Sequence, residues 1–377
     1  MDWARERLDD MTSIEHMRQN GQAIWLDDIN RGLIRRGELK RLIEQDGVSG
    51  ATSNLKTFEE AVNESRDYDD ALDRLAETEA HIDAQAIYER MSIVDVRMAA
   101  DELRPVYDRT HGADGFANIE ISPYLARDAQ ASVTEARRLW DRVHRPNLMV
   151  TIPATIEGIL VLESLLTEGI NVNVTLIFSL AQYEAVVRAY LRGIERAPDP
   201  SGTASVASVC VSRIDSAVDG DLLRIGTPQA LALHGKIATA NAKQIYRRFC
   251  SIFHSDRFAG LRLRGVRPKR LLWASTTRKA QDYPDVCYIE ELIGPDTIAA
   301  VAPGTLEAFR QHGQVRGITL HENLAEAEAA LASLRSLGLD LNTVTESLQS
   351  YSVAAIAGSL DRLLATLDRK RRVGVKS

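Results

Sequence analysis

The stretch LMVTIPATIEG, from Leu148 to Gly158, decides the fold. Its continuous apolar run predicts a parallel strand covered on both faces, and Pro153 ends that run because proline cannot donate to a strand ladder. An apolar helical pattern follows directly and predicts a helix. Thr151 therefore stands near the carboxyl end of a buried strand, which is where α/β barrels carry their chemistry.

The same alternation of a short apolar run and a helical stretch recurs along the 377 residues. The predicted strands span residues 24–28, 47–54, 116–122, 148–154, 171–179, 206–214, 271–276 and 297–301. The predicted helices between them include 132–143, 156–168, 181–195 and 230–253. Eight parallel strands with helices outside predict an α/β fold of the (β/α)8 TIM-barrel type.

We expect one domain over residues 1–377, since no composition shift divides the chain. Charged amphipathic stretches predict a helical insertion around residues 58–103, between the second and third strands. The basic residues of the segment 368–377 predict a solvated, frayed tail.

Composition excludes several classes of function. A formal net charge of −7 disfavours nucleic acid as a partner, and no long apolar run indicates a membrane protein. Cys210, Cys250 and Cys287 are widely spaced, which predicts neither disulfides nor a CxxC zinc site. The amino-terminal residues show no signal-peptide pattern, so we expect a cytoplasmic protein. Whether the chain forms homo-oligomers stays open.

The sequence also predicts no metal and no cofactor. Its eight histidines have no metal-ligand spacing, and no glycine-rich nucleotide motif or GxSxG elbow occurs. We therefore expect the chemistry to come from ordinary side chains.

Polar side chains at the predicted strand ends should meet at one mouth of the barrel. They are Asp27, Asp28, Ser53, Asn54, Glu120, Ser122, Thr151, Asn173, Thr175, residues 208–213 with Ser208 and Arg213, and Ser275. Such a set suits a polyhydroxylated small molecule, with carboxylates for proton transfer. Arg213 and the nearby Lys279 would hold a phosphate group, so the expected substrate is a phosphorylated sugar.

Structural roles compete with these functional ones. Asp27 suits a helix N-cap equally well, and Arg213 suits a surface ion pair. Asn173 and Thr175 lie on one side of their strand, where packing layers also place polar residues. Glu120 is harder to explain structurally, because a carboxylate on a buried strand costs several kcal/mol unless it is satisfied.

Eight blocks in order carry a family resemblance: WLDDINRG, GVSGATSN, NIEISPYLA, RPNLMVTIPAT, EGINVNVTLIFS, VSRID, WAST and EELIGPDT. Over nearly the whole chain they resemble the bacterial transaldolases of the longer type. The resemblance implies a barrel that moves a three-carbon ketol unit between sugar phosphates through a Schiff base. The family's imine-forming lysine stands in the block IKIPAT, which here reads VTIPAT, so Thr151 takes its place.

The resemblance also implies roles for the remaining residues. Asp27 would be the acid/base carboxylate, and Glu120 with Thr175 would handle the catalytic water. Asn54 and Asn173 would orient the substrate. Ser208, Arg213 and Lys279 would bind phosphate. Two further departures are Leu55 where the family has proline after Asn54, and the loop from Thr276 to Ala280 where the family has a glycine and an asparagine.

Three hypotheses remain open at this point. The first is an enzyme that uses Asp27 and Glu120 on a phosphorylated sugar without an imine, since a hydroxyl cannot form one. The second is a genuine transaldolase with a relocated amine, for which Lys56 is the candidate because it follows a strand end. The third is a non-catalytic protein that binds sugar phosphates.

Overall fold

The predicted barrel is confirmed. The computed structural model describes residues 11–79, 82–277 and 284–374, and its eight parallel strands close in the order β1 to β8. The strands are β1 (Gln22–Asp27), β2 (Gly50–Thr52), β3 (Phe116–Glu120), β4 (Leu148–Pro153), β5 (Val172–Ile177), β6 (Ser205–Cys210), β7 (Arg270–Ala274) and β8 (Thr297–Val301).

Helices surround the barrel and fill the connections between its strands. They are α1 (Ser13–Gln19), α2 (Arg31–Arg35), α3 (Glu38–Gln45), α4 (Leu55–Glu64), α5 (Asp69–Thr78), α6 (Ala84–Arg109), α7 (Ala129–Val143), α8 (Ile156–Thr167), α9 (Leu180–Ile194), α10 (Ser212–Ile225), α11 (Pro228–Leu231), α12 (Ile237–Phe253), α13 (Asp256–Leu263), α14 (Cys287–Glu291), α15 (Pro303–His312), α16 (Leu324–Ser336) and α17 (Leu341–Gly374). Short 3₁₀ turns occur at Pro123–Leu125 and Thr319–His321.

Alternation along the strands sorts the apolar side chains into two layers. Ile24 and Leu26 pack in the large cluster between the barrel and its helices, whereas Trp25 packs in a separate cluster with Phe116 and Met149. This second cluster fills the inside of the barrel. The interior is thus a packed core, and the site must lie at its end.

Several predicted element boundaries are wrong, among them those of the second strand, which spans Gly50–Thr52 rather than residues 47–54. The sixth strand ends at Cys210 rather than reaching residue 214, because Ser212 already begins α10. The helix predicted over 230–253 is two helices, α11 and α12, and Gly235 between them has a φ of 68° that only glycine adopts easily.

The prediction of a frayed basic tail is also wrong for residues 368–374. These residues continue α17. Lys370 pairs with Asp69 of α5 at 3.0 Å, and Arg371 donates to the carbonyl of Ile82 at 2.5 Å and to Asp368 at 2.9 Å. These positive charges therefore hold the end of α17 against other parts of the same chain, so this end is not a free, solvated tail.

The last helix joins two parts of the molecule. Leu360, Leu363 and Leu367 of α17 pack in one cluster with Phe58 and Tyr68, which belong to the helical segment between β2 and β3. The amino-terminal half of α17 reaches the carboxyl ends of β4 and β5, where Gln349 donates to the carbonyls of Ala154 at 2.9 Å and Leu176 at 3.0 Å. The helix thereby lies across the barrel mouth.

Gly50 tests how tightly the barrel interior is packed. A Cβ at Gly50 would stand 2.4 Å from the indole of Trp25, which is fully buried and fixed by a 2.7 Å hydrogen bond to Asp114. We expect Gly50→Ala to lower the free energy of unfolding by about 1–3 kcal/mol, measured by denaturant titration. Gly220→Ala, on an open face of α10, is the matched control and should leave stability unchanged or raise it. Equal effects of the two changes would contradict this packing.

Candidate active site

A chain of polar side chains crosses the upper barrel interior. Asn118 Oδ1 accepts hydrogen bonds from the Thr151 hydroxyl at 3.3 Å and from the Asn173 amide at 3.1 Å. The Ser208 hydroxyl donates to Asn173 Oδ1 at 2.7 Å, and the Asn118 amide donates to the carbonyl of Ala51 at 2.9 Å. All four side chains are buried, so these bonds fix their orientation.

Thr151 lies where the sequence placed it. It pairs in register with Glu120 of β3 on one side and with Asn173 of β5 on the other. Glu120, Thr151 and Thr175 line one cavity, of about 30 Å³, together with Val353 and Ile356 of α17. A cavity of that volume holds about one water molecule. The space beside Thr151 is therefore small while Val353 and Ile356 of α17 lie over it.

Glu120 and Asp27 are carboxyl groups at this mouth whose charges interact. Burial, and to a lesser extent the negative charge of Asp27, raises the pKa of Glu120 to about 8. Burial also raises the pKa of Asp27, although a 2.7 Å hydrogen bond from Thr52 and the positive charge of Arg213 oppose that rise. The environments therefore differ: Asp27 has two groups that favour its ionised form, and Glu120 has burial and a like charge against its own.

A second cavity adjoins Glu120 on the side of the helical insertion. Ser53, Asn54, Tyr88 and Asp95 line it together with Glu120. The Ser53 hydroxyl is buried and has no hydrogen-bond partner in the described part of the chain. Asn54 caps α4 by accepting a 3.0 Å hydrogen bond from the Lys56 amide, so its side-chain oxygen is already used there.

Asp28 directly follows β1, in the short loop that leads to α2. Burial raises its pKa to about 7, against a 2.9 Å hydrogen bond from Asn30. Its Oδ1 atom is buried without a partner among the described residues. The strand-end carboxyls thus include a third group that titrates near neutrality.

The predicted cations have different placements. Arg213, at the start of α10, is exposed, donates to Ser352 of α17 at 2.9 Å and acts on the charge of Asp27. Ser275 follows β7 with a φ of 55°, and its carbonyl accepts from the Ser212 amide at 3.1 Å. Lys279 lies outside the described residues.

Lys56 does not line either mouth cavity. Its side chain is 67% exposed, and its ammonium pairs with Glu60 at 3.3 Å along the surface of α4. The fully buried Lys269 lies at the other end of the barrel, just before β7, where its ammonium donates to the Ser205 hydroxyl and the Val206 carbonyl. In the ranges 11–79, 82–277 and 284–374, neither cavity is lined by a lysine.

Sequence reasoning missed Asn118, Gln349 and Ser352. Asn118 had a signal, since Asn118 and Glu120 alternate with apolar residues on β3 as Asn173 and Thr175 do on β5. Gln349 and Ser352 had none, because their role depends on how a distant helix packs.

Within the described residues, no group of three or more His, Cys, Asp or Glu side chains is arranged to hold a metal ion. None of the described helices is long and apolar enough to cross a membrane.

Comparison with known proteins gives consistent matches. The sequence profile of the family described as Transaldolase/Fructose-6-phosphate aldolase matches residues 24–367. A protein named Transaldolase from Thiobacillus denitrificans is 44% identical over 351 residues, which cover 92% of this chain and 97% of that protein. Another with that name, from Thermobifida fusca, is 43% identical over 355 residues, 93% of this chain and 96% of its own. A third, from Frankia alni, is 42% identical over 351 residues, 92% and 94%.

The raised pKa of Glu120 has a consequence for stability. Glu120 stays protonated in the folded chain between its usual value of 4.5 and about 8, whereas the unfolded chain ionises there. The favourable contribution of the protonated group is therefore complete below the unfolded value and is lost as pH rises through the folded one. Glu120→Gln should flatten the fall in unfolding free energy between acid and alkaline pH by a few kcal/mol, at about 1.4 kcal/mol per unit.

The measurement is denaturant titration across that pH range. Glu44→Gln, which changes an exposed glutamate of α3, is the control and should keep the wild-type dependence. Parallel curves for Glu120→Gln and the wild type would show that Glu120 is not desolvated.

Proposed function

The chain belongs to the transaldolase/fructose-6-phosphate aldolase family and is a transaldolase-family enzyme, and on that premise we propose that its barrel mouth transfers protons on a phosphorylated sugar without an imine. One observation carries the proposal. Thr151 places a hydroxyl beside Glu120 and Asn173, in a mouth whose two described cavities contain no lysine. A hydroxyl cannot condense with a ketone to give the iminium that makes carbon–carbon cleavage easy.

The polar groups of the mouth support a phosphorylated, polyhydroxylated substrate. Asn173 and Thr175 belong to β5 and point toward the same end of the barrel as Glu120. Arg213 offers an exposed guanidinium beside Asp27, suited to a phosphate group because its donors match phosphate oxygens in pairs. Carbohydrate hydroxyls would take the amide and hydroxyl groups, and phosphate would take the arginine.

The two carboxyl groups suit opposite roles. At neutral pH Glu120, with a pKa of about 8, carries a proton that it can donate. We assign Asp27 as the acceptor, because the hydrogen bond from Thr52 and the charge of Arg213 stabilise its ionised form against the rise in pKa that burial causes. Glu120 as the acid and Asp27 as the base form a pair. The proton that Glu120 gives up is replaced from the substrate through Asp27 or from solvent.

A second candidate function is the transaldolase reaction itself, transfer of a three-carbon ketol unit. The comparisons favour this candidate, since relatives 42–44% identical over more than nine tenths of the chain are named Transaldolase. It requires an amine in the mouth. Lys56 supplies one only if its pair with Glu60 breaks and the start of α4 turns inward.

Trapping with borohydride separates the two candidates. Treatment of the wild-type chain with fructose 6-phosphate and borohydride should leave no covalent adduct, because no amine meets the ketone. Thr151→Lys should gain an adduct that maps to residue 151, since a lysine there stands between Glu120 and Asn173. Thr151→Ser is the matched control and should give none. A wild-type adduct on Lys56 or any other lysine would replace our proposal with the ketol transfer.

Glu120→Gln tests the proton transfer. The amide keeps the shape and hydrogen-bonding capacity of the side chain but has no carboxyl proton to donate. Turnover should therefore fall by about a hundredfold or more, while substrate affinity changes little. A panel of sugar phosphates followed by NMR gives turnover, and calorimetry gives affinity. Glu44→Gln should match the wild type in both. Unchanged turnover in Glu120→Gln would remove Glu120 from the mechanism, and a wild-type chain that binds but converts nothing would contradict the proposed activity.

A further inference from the structure

Away from the mouth, a groove of about 420 Å³ lies between α2, α5, α6 and the end of α7. We call it the arginine groove, since six arginines line it: Arg31, Arg35, Arg74, Arg90, Arg97 and Arg142. Its other lining residues are apolar, among them Leu75, Met91 and Val94. No residue is shared with either cavity of the mouth.

Helical spacing builds this groove. Arg90, Val94 and Arg97 follow one another at intervals of four and three residues, so they form one stripe along α6. Arg31 and Arg35 are four apart on α2. With Arg74 of α5 and Arg142 of α7, four helices therefore turn arginines toward the same space.

The groove holds an excess of positive charge on a protein whose formal net charge is −7. Arg31 is paired with Asp95 at 2.7 Å, and Arg90 is paired with Glu79. Arg35, Arg74 and Arg97 have no carboxylate within 4.0 Å among the residues the structure describes. No aspartate or glutamate lines the groove, and three of its six guanidinium groups lack a carboxylate partner among the described residues.

Arg142 adds to this excess, because it shares the single carboxylate of Glu89 with Arg138. One negative charge therefore faces two positive ones at that end of the groove.

Backbone contacts hold two of the guanidinium groups in place. Arg97 donates to the carbonyl of Val143 at 3.1 Å and to that of Arg142. Arg31 donates to the carbonyl of Met91 at 3.3 Å. The buried Arg31 thus uses its donors on Asp95 and Met91 and shapes the groove, whereas the exposed Arg35 and Arg74 keep guanidinium groups whose paired donors match phosphate oxygens.

We propose that the arginine groove is a binding site for a nucleoside phosphate, with the phosphates on the arginines and the flat base on the apolar floor. The apolar floor supports the placement of the base, since Val94 is 44% exposed beside Leu75 and Met91. The volume lies in the range of small-molecule sites. The lining contains neither a carboxylate nor a nucleophile, so the groove binds its ligand without reacting with it.

Calorimetric titration of the full chain with ADP, pyrophosphate and adenosine tests the proposal. ADP should bind more tightly than pyrophosphate, and adenosine should not bind detectably, because both halves of the ligand contribute. The double variant Arg35→Gln and Arg74→Gln changes two exposed side chains and should weaken ADP by about tenfold or more. The control, Arg188→Gln with Arg224→Gln, removes the same charge from exposed positions elsewhere and should bind ADP like the wild type.

A floor variant separates the base from the phosphates. Val94→Asn should weaken ADP and leave pyrophosphate unchanged. Equal affinity for ADP and pyrophosphate would overturn the nucleoside assignment. The site itself would be overturned if ADP did not bind, or if the groove and control variants lost ADP affinity equally. Displacement of ADP by fructose 6-phosphate would also overturn it, because that result places ADP in the mouth.

Discussion

Desolvation of two carboxyl groups at one end of a closed barrel is the constraint on which the site depends. Asp27 and Glu120 stand near enough that the charge of one raises the pKa of the other, and burial raises both. The resemblance of the block VTIPAT to the family's IKIPAT implies an amine at position 151. Here Thr151 provides no positive charge and bonds to Asn118 instead. The proton that Glu120 keeps at neutral pH, because its pKa is raised to about 8, then limits the repulsion between the two carboxyl groups.

The last helix, α17, covers the cavity that Glu120 lines. Val353 and Ile356 close the small cavity at Thr151, while Gln349 and Ser352 tie α17 to β4, β5 and Arg213. The far end of the helix is packed against the insertion through leucines and through Lys370 and Arg371. The helix is thus held by a few hydrogen bonds at the end that covers the mouth and by apolar packing and ion pairs at the other. Arg213 donates to Ser352 of this helix and its positive charge acts on Asp27, so one side chain links α17 to the carboxyl groups of the mouth.

The sequence predicted the barrel because each buried strand is a continuous apolar run followed by a helical pattern, a signal that local residues carry. It predicted the mouth because strand ends converge in a barrel, and Glu120, Thr151 and Thr175 do line one cavity. It failed where distant packing decides. In the sequence, the basic segment after Asp368 resembles a solvated tail. Only the folded structure shows Asp69 and Ile82 beside it. Gln349 and Ser352 carry no motif. Lys56 follows a strand end in the sequence, but the helix that begins at Leu55 points its ammonium toward Glu60.

A crystal structure of the wild-type chain with fructose 6-phosphate is the most direct test of imine-free chemistry. Our account predicts an open α17 and an intact ligand carbonyl, with no covalent bond to protein, phosphate at Arg213 and the Glu120 carboxyl within hydrogen-bond distance of the sugar. Continuous density from a lysine Nζ to the ligand's carbonyl carbon would contradict it.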